Sequence, residues 1–218
     1  MPILHGFSYS NYYNIAKHVL LYKGANFEED LVYPSAEGYN KFSPALKVPS
    51  LTTDDGQHLS EAAVLCKYIE EAYPEKPLLP AGLVERNKVR QLMHMAELYL
   101  ELPNRRLLPF SFSNQPAPEE LINEVKSVVD RGINSINALS NFGPWIFSDS
   151  FTMADIYLYY VLTVADMGGS MTEIDLNSRI PGLAEWRAAF AADAISERVA
   201  ADTKANREGF FAYIQSRS

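Results

Sequence analysis

Lys47–Ile69 reads KVPSLTTDDGQHLSEAAVLCKYI, and its punctuation spells a strand, a tight turn, a second strand and a helix. Val48-Pro49-Ser50-Leu51 is short and partly β-branched, and Asp55-Gly56 turns the chain back because glycine tolerates positive φ. Ser60 is the expected N-cap. After it Ala63, Val64, Leu65, Tyr68 and Ile69 recur at helical spacing and give the helix a core-facing stripe. Pro49 sits where a proline introduces a strand without removing a ladder hydrogen bond, and it is a candidate for a cis peptide bond. A cis bond there turns the backbone outward and leaves the N–H and C=O of Val48 for something other than the sheet.

Working outward, residues 1–7 (MPILHGF) read as a first strand. Asn11–Lys23 carries Ile15, Val19, Leu20 and Tyr22 at helical spacing and stops at Gly24, and Asn26–Val32 is a second strand. Strand, helix, strand within about thirty residues is a βαβ unit, which requires a parallel pair. With residues 48–71 the order becomes βαβ-ββα, that of a thioredoxin-like domain. Tyr33–Lys47, punctuated by Pro34, Gly38 and Pro44, reads as irregular with one helical turn. The segment YPEKPLLPAG, with Pro74, Pro77, Pro80 and Gly82, cannot continue a helix and marks a linker. The expected domains are therefore 1–80 and 81–218.

Downstream the chain reads as helical throughout. Val84 to about Arg106 is amphipathic with a kink at Pro103. Glu119-Glu120 open a helix in which Ile122, Val125, Val128, Val129, Gly132, Ile133, Ile136 and Leu139 give five turns of apolar face, so an all-helical bundle is expected. In Phe151-Thr152-Met153-Ala154-Asp155-Ile156, Thr152 and Asp155 form a capping box and Phe151 and Ile156 a hydrophobic staple, which makes Asp155 structural. The helix it starts, Ile156–Ala165, is apolar almost all round, and Met167-Gly168-Gly169 reads as the loop after it. The last stretch, 207–218, with Phe210, Phe211, Tyr213 and Ile214, either folds back over a cleft or packs on the bundle.

The V-P-x-L run, the D-G turn, the Glu and the helix with A-x-x-x-x-Y-I resemble the glutathione-binding half of the cytosolic glutathione S-transferase family. The Thr152–Asp155 box and Pro181-Gly182-Leu183 with Trp186 are similar to the family's buried central helix and late helix. The resemblance covers about the first 200 residues in order and implies an α/β plus all-α fold: a thioredoxin-like N-terminal domain followed by an all-helical C-terminal bundle. It further implies a cytoplasmic homodimer that takes part in detoxification, with glutathione as co-substrate, no metal, and a small hydrophobic electrophile as second substrate.

The same resemblance assigns the site. The family activates the glutathione thiol with a hydroxyl or thiol between the first strand and first helix; counted back from Lys23-Gly24, Ser10 falls where serine-type members keep theirs. A donor to sulfur stabilises the thiolate, and the helix N-terminus adds positive potential. Asn11 and Tyr12 are further thiol partners, and Lys47, Val48, Pro49, Glu61 and Ala62 are the positions expected to hold the peptide. Ala62 departs from the family, which has Ser or Thr there. One hydrogen bond to a charged group is worth roughly 1.5–3 kcal/mol, so weakened glutathione binding is expected. Tyr99, Arg106 and Phe110 are the expected second-substrate pocket. The rival readings are a non-catalytic binding or regulatory module on the same fold, favoured by Ala62, and a glutathione-dependent isomerase, peroxidase or disulfide reductase.

The composition agrees with a globular protein: 218 residues, 47% hydrophobic and 21% charged. A net charge of −8 argues against nucleic acid or an anionic membrane as partner, since no basic stripe is available to neutralise phosphates. Cys66 is the only cysteine, which suits a reducing compartment, and it reads as a small buried hydrophobe. His5, His18, His58 and His94 lack metal-ligand spacing, and neither a signal peptide nor a membrane span is expected.

Overall fold

The structure is a computed structural model and describes residues 1–147 and 149–216. Two compact units divide it: Met1–Pro77 together with the C-terminal stretch from Ala192, and Leu78–Ala191.

The first unit contains β1 (Ile3–Gly6), α1 (Asn11–Lys23), β2 (Glu28–Leu31), β3 (Ser50–Thr52), β4 (His58–Ser60) and α2 (Ala62–Ala72). The sheet runs β2-β1-β3-β4, with β1 and β2 parallel and the other pairs antiparallel, as the βαβ-ββα order requires. Leu4 and Leu51 of the sheet, Ile15, Val19 and Leu20 of α1, and Leu65 and Ile69 of α2 are fully buried and form its core. Burying each such side chain is worth about 1.5–3 kcal/mol. α1 ends on Gly24 at φ +70°, which donates its N–H to Leu20 and Leu21. The loop before β3 holds one 3₁₀ turn, Tyr39–Lys41.

The second unit contains α3 (Leu83–Ala96), a π-helical turn (Glu97–Glu101), α4 (Leu102–Arg105), α5 (Leu108–Ser113), α6 (Glu119–Leu139), α7 (Met153–Thr172), α8 (Leu176–Arg179) and α9 (Leu183–Ala191). The expected kink at Pro103 takes the form of the widened turn just before it. Proline has no N–H to offer the preceding carbonyls, and a wider turn accommodates the loss. The capping box at Thr152 is present, and Asp155 does more than cap: besides Thr152 N–H and Oγ–H it accepts from Ile146 N (3.0 Å) and Trp186 Nε1 (2.9 Å). Burial nonetheless pushes its carboxyl up from the ordinary aspartate value. The expected loop at Met167-Gly168-Gly169 is instead the last part of α7. A Cβ on Gly168 would lie 2.1 Å from the Asn104 side-chain oxygen, so glycine is there for close packing and not for a turn.

The C-terminal helix α10 (Ala194–Gln215) differs from the expected division at 80, because it belongs to the first unit. Lys17 of α1, 1% exposed, explains why: its ammonium is 2.6 Å from Glu29 and 2.7 Å from Asp202 of α10. Thr203 Oγ donates to the Ser8 carbonyl at 2.8 Å, and Tyr9 N–H donates to Asn206 Oδ1 at 3.1 Å. Phe210 stacks on Phe7 and Tyr9, and Tyr213 on Tyr33. Residues 207–216 thus turn back over the β1–α1 loop, where Ser10 lies, and over Tyr33 after β2; Arg217 and Ser218 lie outside the described residues. No helix among the described residues is long and apolar enough to cross a membrane.

Candidate functional site

Strand register brings the expected site residues together. His5 is opposite Ser50 and Ser50 opposite Ser60, so the β1–α1 loop, the loop into β3 and the β4–α2 junction all leave the sheet at one end.

At the first of these, Gly6 has φ +148°, and a Cβ there would come within 2.6 Å of the Tyr13 ring and 3.2 Å of Val48 Cβ. Only glycine lets the two loops approach so closely. Ser10 follows in an extended conformation as N-cap of α1, with its Oγ accepting from Tyr13 N–H at 3.4 Å. Asn11, buried, and Tyr12, half-buried, are the first two residues of that helix.

At the second, the Val48–Pro49 peptide is cis, as expected. Tyr39, buried, donates its hydroxyl to the Lys47 carbonyl at 3.2 Å and stands 3.0 Å from Ser50 Oγ, so it grips the chain on both sides of that bond. Burial raises its pKa and keeps the phenol neutral. The Lys47 side chain is exposed, and its N–H is fixed by Ser43 Oγ at 3.1 Å. Sequence reasoning missed Tyr39; the signal was an aromatic residue set between prolines in an otherwise polar loop.

At the third, the expected N-cap at Ser60 is corrected. Ser60 stays in the ladder opposite Ser50, and the cap falls on Glu61 at φ +73°, ψ +117°, with no side-chain capping bond. The chain must turn from β4 into α2 within one residue, and a non-glycine residue held in such a conformation costs on the order of 1–3 kcal/mol. The Glu61 carbonyl accepts from Val64 and Leu65, and Glu61 itself is exposed, while Ala62, whose backbone N–H heads α2, is buried.

The three residues expected for the second substrate lie in the other unit and are not gathered by one element. Tyr99 is in the π-helical turn, its backbone and Cβ against Gly132 of α6; Phe110 is half-buried on α5. Arg106 makes a bidentate pair with Glu124 at 2.7 and 3.0 Å, so its guanidinium is engaged by a carboxylate at the surface. Beside the β1–α1 loop the first unit has a cavity of about 390 Å³, lined among others by Ser8, Tyr13, Lys17, Glu29 and Asp202. Its charges are largely matched internally: Tyr13 donates to Glu29 at 2.7 Å and Lys17 pairs with both carboxylates.

Residues 4–77 match the family model described as the N-terminal domain of glutathione S-transferase, and residues 119–189 match its C-terminal domain. A protein named glutathione S-transferase from Pseudomonas putida strain F1 is 34% identical over 98% of this chain and 97% of its own length. The chain belongs to the glutathione S-transferase family. A maleylacetoacetate isomerase from Dictyostelium discoideum is 26% identical over 63% of this chain and 64% of its own length. Among solved structures, a glutathione S-transferase from Methylobacillus flagellatus with glutathione bound superposes with a TM-score of 0.75 at 20% identity, over 91% of this chain and 98% of that one. At that identity the likeness shows the shared fold. The transferase fold, read from the V-P…D-G…E stretch, thus holds over both units.

Proposed function

We propose that this transferase activates the thiol of glutathione through the Ser10 hydroxyl and directs the thiolate at a small hydrophobic electrophile. The observation that supports it is the state of that hydroxyl. One lone pair of Ser10 Oγ receives the Tyr13 N–H, and the hydroxyl proton remains to be donated. Given to the glutathione sulfur at the positive end of α1, it favours the thiolate over a thiol that otherwise titrates near about 8.5. The thiolate then forms the carbon–sulfur bond as the leaving group departs. In this reading the Val48 backbone before cis-Pro49 holds the cysteinyl part of the peptide, while Glu61 and the Ala62 N–H take the γ-glutamyl end, with Lys47, Asn11 and Tyr12 beside them. The electrophile is met by Tyr99 and Phe110, and by Arg106 if Glu124 releases it.

Calorimetric titration with glutathione tests the site. Micromolar-to-millimolar binding that tightens about tenfold in Ala62→Ser is the expected result, since the restored hydroxyl adds one hydrogen bond to a carboxylate. Ser10→Ala is expected to lower turnover of an activated aryl chloride at least about tenfold while glutathione affinity stays within about threefold. Unchanged turnover removes Ser10 from the scheme. Absence of binding by both the native protein and Ala62→Ser supports the non-catalytic module instead.

A second reading, a glutathione-dependent isomerase, draws support from two curated relatives named maleylacetoacetate isomerase, from Dictyostelium discoideum and Pseudomonas aeruginosa. The same thiolate would add to a cis double bond, permit rotation and be eliminated. Conversion of an unsaturated cis diketo acid without net consumption of glutathione distinguishes it. The setting we infer is a cytoplasmic homodimer acting in detoxification: the single cysteine suits a reducing compartment, and Leu98 and Leu102, 52% and 42% exposed one turn apart, offer an apolar face for a second copy.

A further inference from the structure

One face of the sheet carries a constellation that the glutathione site does not use. His5 of β1 is opposite Asp30 of β2, lies diagonally from Thr52 of β3, and Thr52 is opposite His58 of β4. Side chains alternate along strands, so these four share a face while Leu4 and Leu51 point into the core. His5 Nδ1 is 2.7 Å from Asp30 Oδ2, and its Nε2 is 2.7 Å from Thr52 Oγ1. His58 Nδ1 stands 3.0 Å from the same hydroxyl. Phe42 stacks on the His5 ring at 4.2 Å and locks it, leaving it 3% exposed; Thr52 is half-buried, and Asp30 and His58 are open to solvent.

The proton directions follow from what each group can do. Asp30 as a carboxylate only accepts, so the neutral His5 carries its hydrogen on Nδ1 and presents Nε2 as an acceptor. The Thr52 hydroxyl therefore donates into His5, and its remaining lone pairs accept from His58 Nδ1–H. A carboxylate orienting an imidazole whose far nitrogen takes the proton of a hydroxyl is the arrangement of nucleophilic acyl transfer, and it is recognised by geometry and roles whatever the fold.

We propose that Asp30, His5 and Thr52 form a second catalytic site, at which Thr52 is acylated by small acyl esters. Thr52 Oγ bonds to the ester carbonyl carbon as its proton passes to His5 Nε2. As Thr52 Oγ becomes an ester oxygen and a poorer acceptor, the His58 Nδ1–H that it held turns to the developing oxyanion. The carbon–oxygen bond to the leaving alcohol or phenol then breaks, and the proton on His5 goes to that oxygen. Water attacks the threonine ester, gives its proton to His5 Nε2, and Thr52 departs with it, so ester and water become acid and alcohol with no change of oxidation state. Phe42, stacked on His5 and edge-on to His58 at 4.8 Å, supplies an apolar wall for an aryl or short alkyl group. None of Ser10, Val48, Glu61 or Ala62 takes part, so this inference stands or falls apart from the glutathione reading.

The test treats the full-length protein with p-nitrophenyl acetate in the absence of glutathione, following p-nitrophenolate release and locating acetyl groups by peptide mass spectrometry. The expected product is an acetyl ester on Thr52, removed by neutral hydroxylamine, whereas acetyl amides on lysines survive it. Thr52→Val abolishes that adduct and Thr52→Ser retains it. Asp30→Asn, at an exposed position where the fold is easily kept, slows acylation of Thr52 about 100-fold, because an oriented general base contributes roughly 10²–10⁴ in rate. A native protein that forms no Thr52 ester overturns the proposal. So does an Asp30→Asn variant that acetylates Thr52 at the native rate, which makes Thr52 an ordinary surface hydroxyl.

Discussion

His18 shows how one residue can set the acid limit of the fold. It lies 1% exposed on the inner side of α1, and burial pulls its pKa down from 6.5 to about 4, with Asp193 pulling weakly the other way. The unfolded chain takes up a proton below about 6.5 that the folded chain refuses until about 4. Stability is therefore full above the unfolded value and is lost as the pH falls through that window, by about 2 kcal/mol between roughly pH 7 and pH 5. Urea denaturation at the two pH values checks it: the native protein should lose that increment and His18→Gln should lose much less. At this scale the sequence was informative where the chemistry is local. Ser10 ahead of a helix that ends at Lys23-Gly24, the proline before β3 and the Thr152–Asp155 box could all be read, because caps and turns depend on neighbours a few residues away. The grip of Tyr39 on Lys47 and Ser50, and the meeting of His5 with Thr52 and His58, could not. Their partners come together only through strand register, and four histidines scattered along a chain show nothing of it.

Among the elements, α7 and α10 mark the limits of reading periodicity. Gly168 and Gly169 spell a turn by composition, yet the helix runs through them, and they are glycines because Asn104 and the Ile174 carbonyl occupy the space their side chains would fill. The aromatic stretch that ends α10 was legible, but the partners of the helix were not: the pairing of Lys17 with Asp202 spans 185 positions. The structure makes α10 the clasp of the loop that carries Ser10. Phe210→Ala should destabilise the protein by about 3 kcal/mol through the cavity it leaves. It should also loosen the loop, raising the hydrogen-exchange rate of the Tyr9 amide, which Asn206 holds, well before amides in β1 respond. Equal protection of Tyr9 in the variant and the native protein would show that α10 rests on the loop without restraining it.

On the scale of the molecule, the exposed face of Leu98 and Leu102 bears on assembly. Two large aliphatic side chains one turn apart, with Leu83 and Val84 of α3 also 73% and 61% exposed, are more apolar surface than a lone helix face needs. If the homodimer uses this face, sedimentation equilibrium should give twice the 24.5 kDa chain mass, and Leu98→Glu should halve it with the far-ultraviolet circular dichroism unchanged. A monomer in the native protein would remove the dimer from the functional scheme and leave each chain to work alone.

The placement of α10 also bears on how the chain is made. Synthesis runs from the N-terminus, and the first 77 residues emerge from the ribosome without the helix that covers Phe7, Tyr9 and Tyr33 and brings Lys17 its second carboxylate, Asp202. The helical unit, continuous in sequence, can close before α10 has been made; the sheet unit is complete only once α10 has followed it. Loss of α10 thus harms the loop at the start of the chain first, so that the order of the Ser10 loop reports on a helix nearly two hundred residues away.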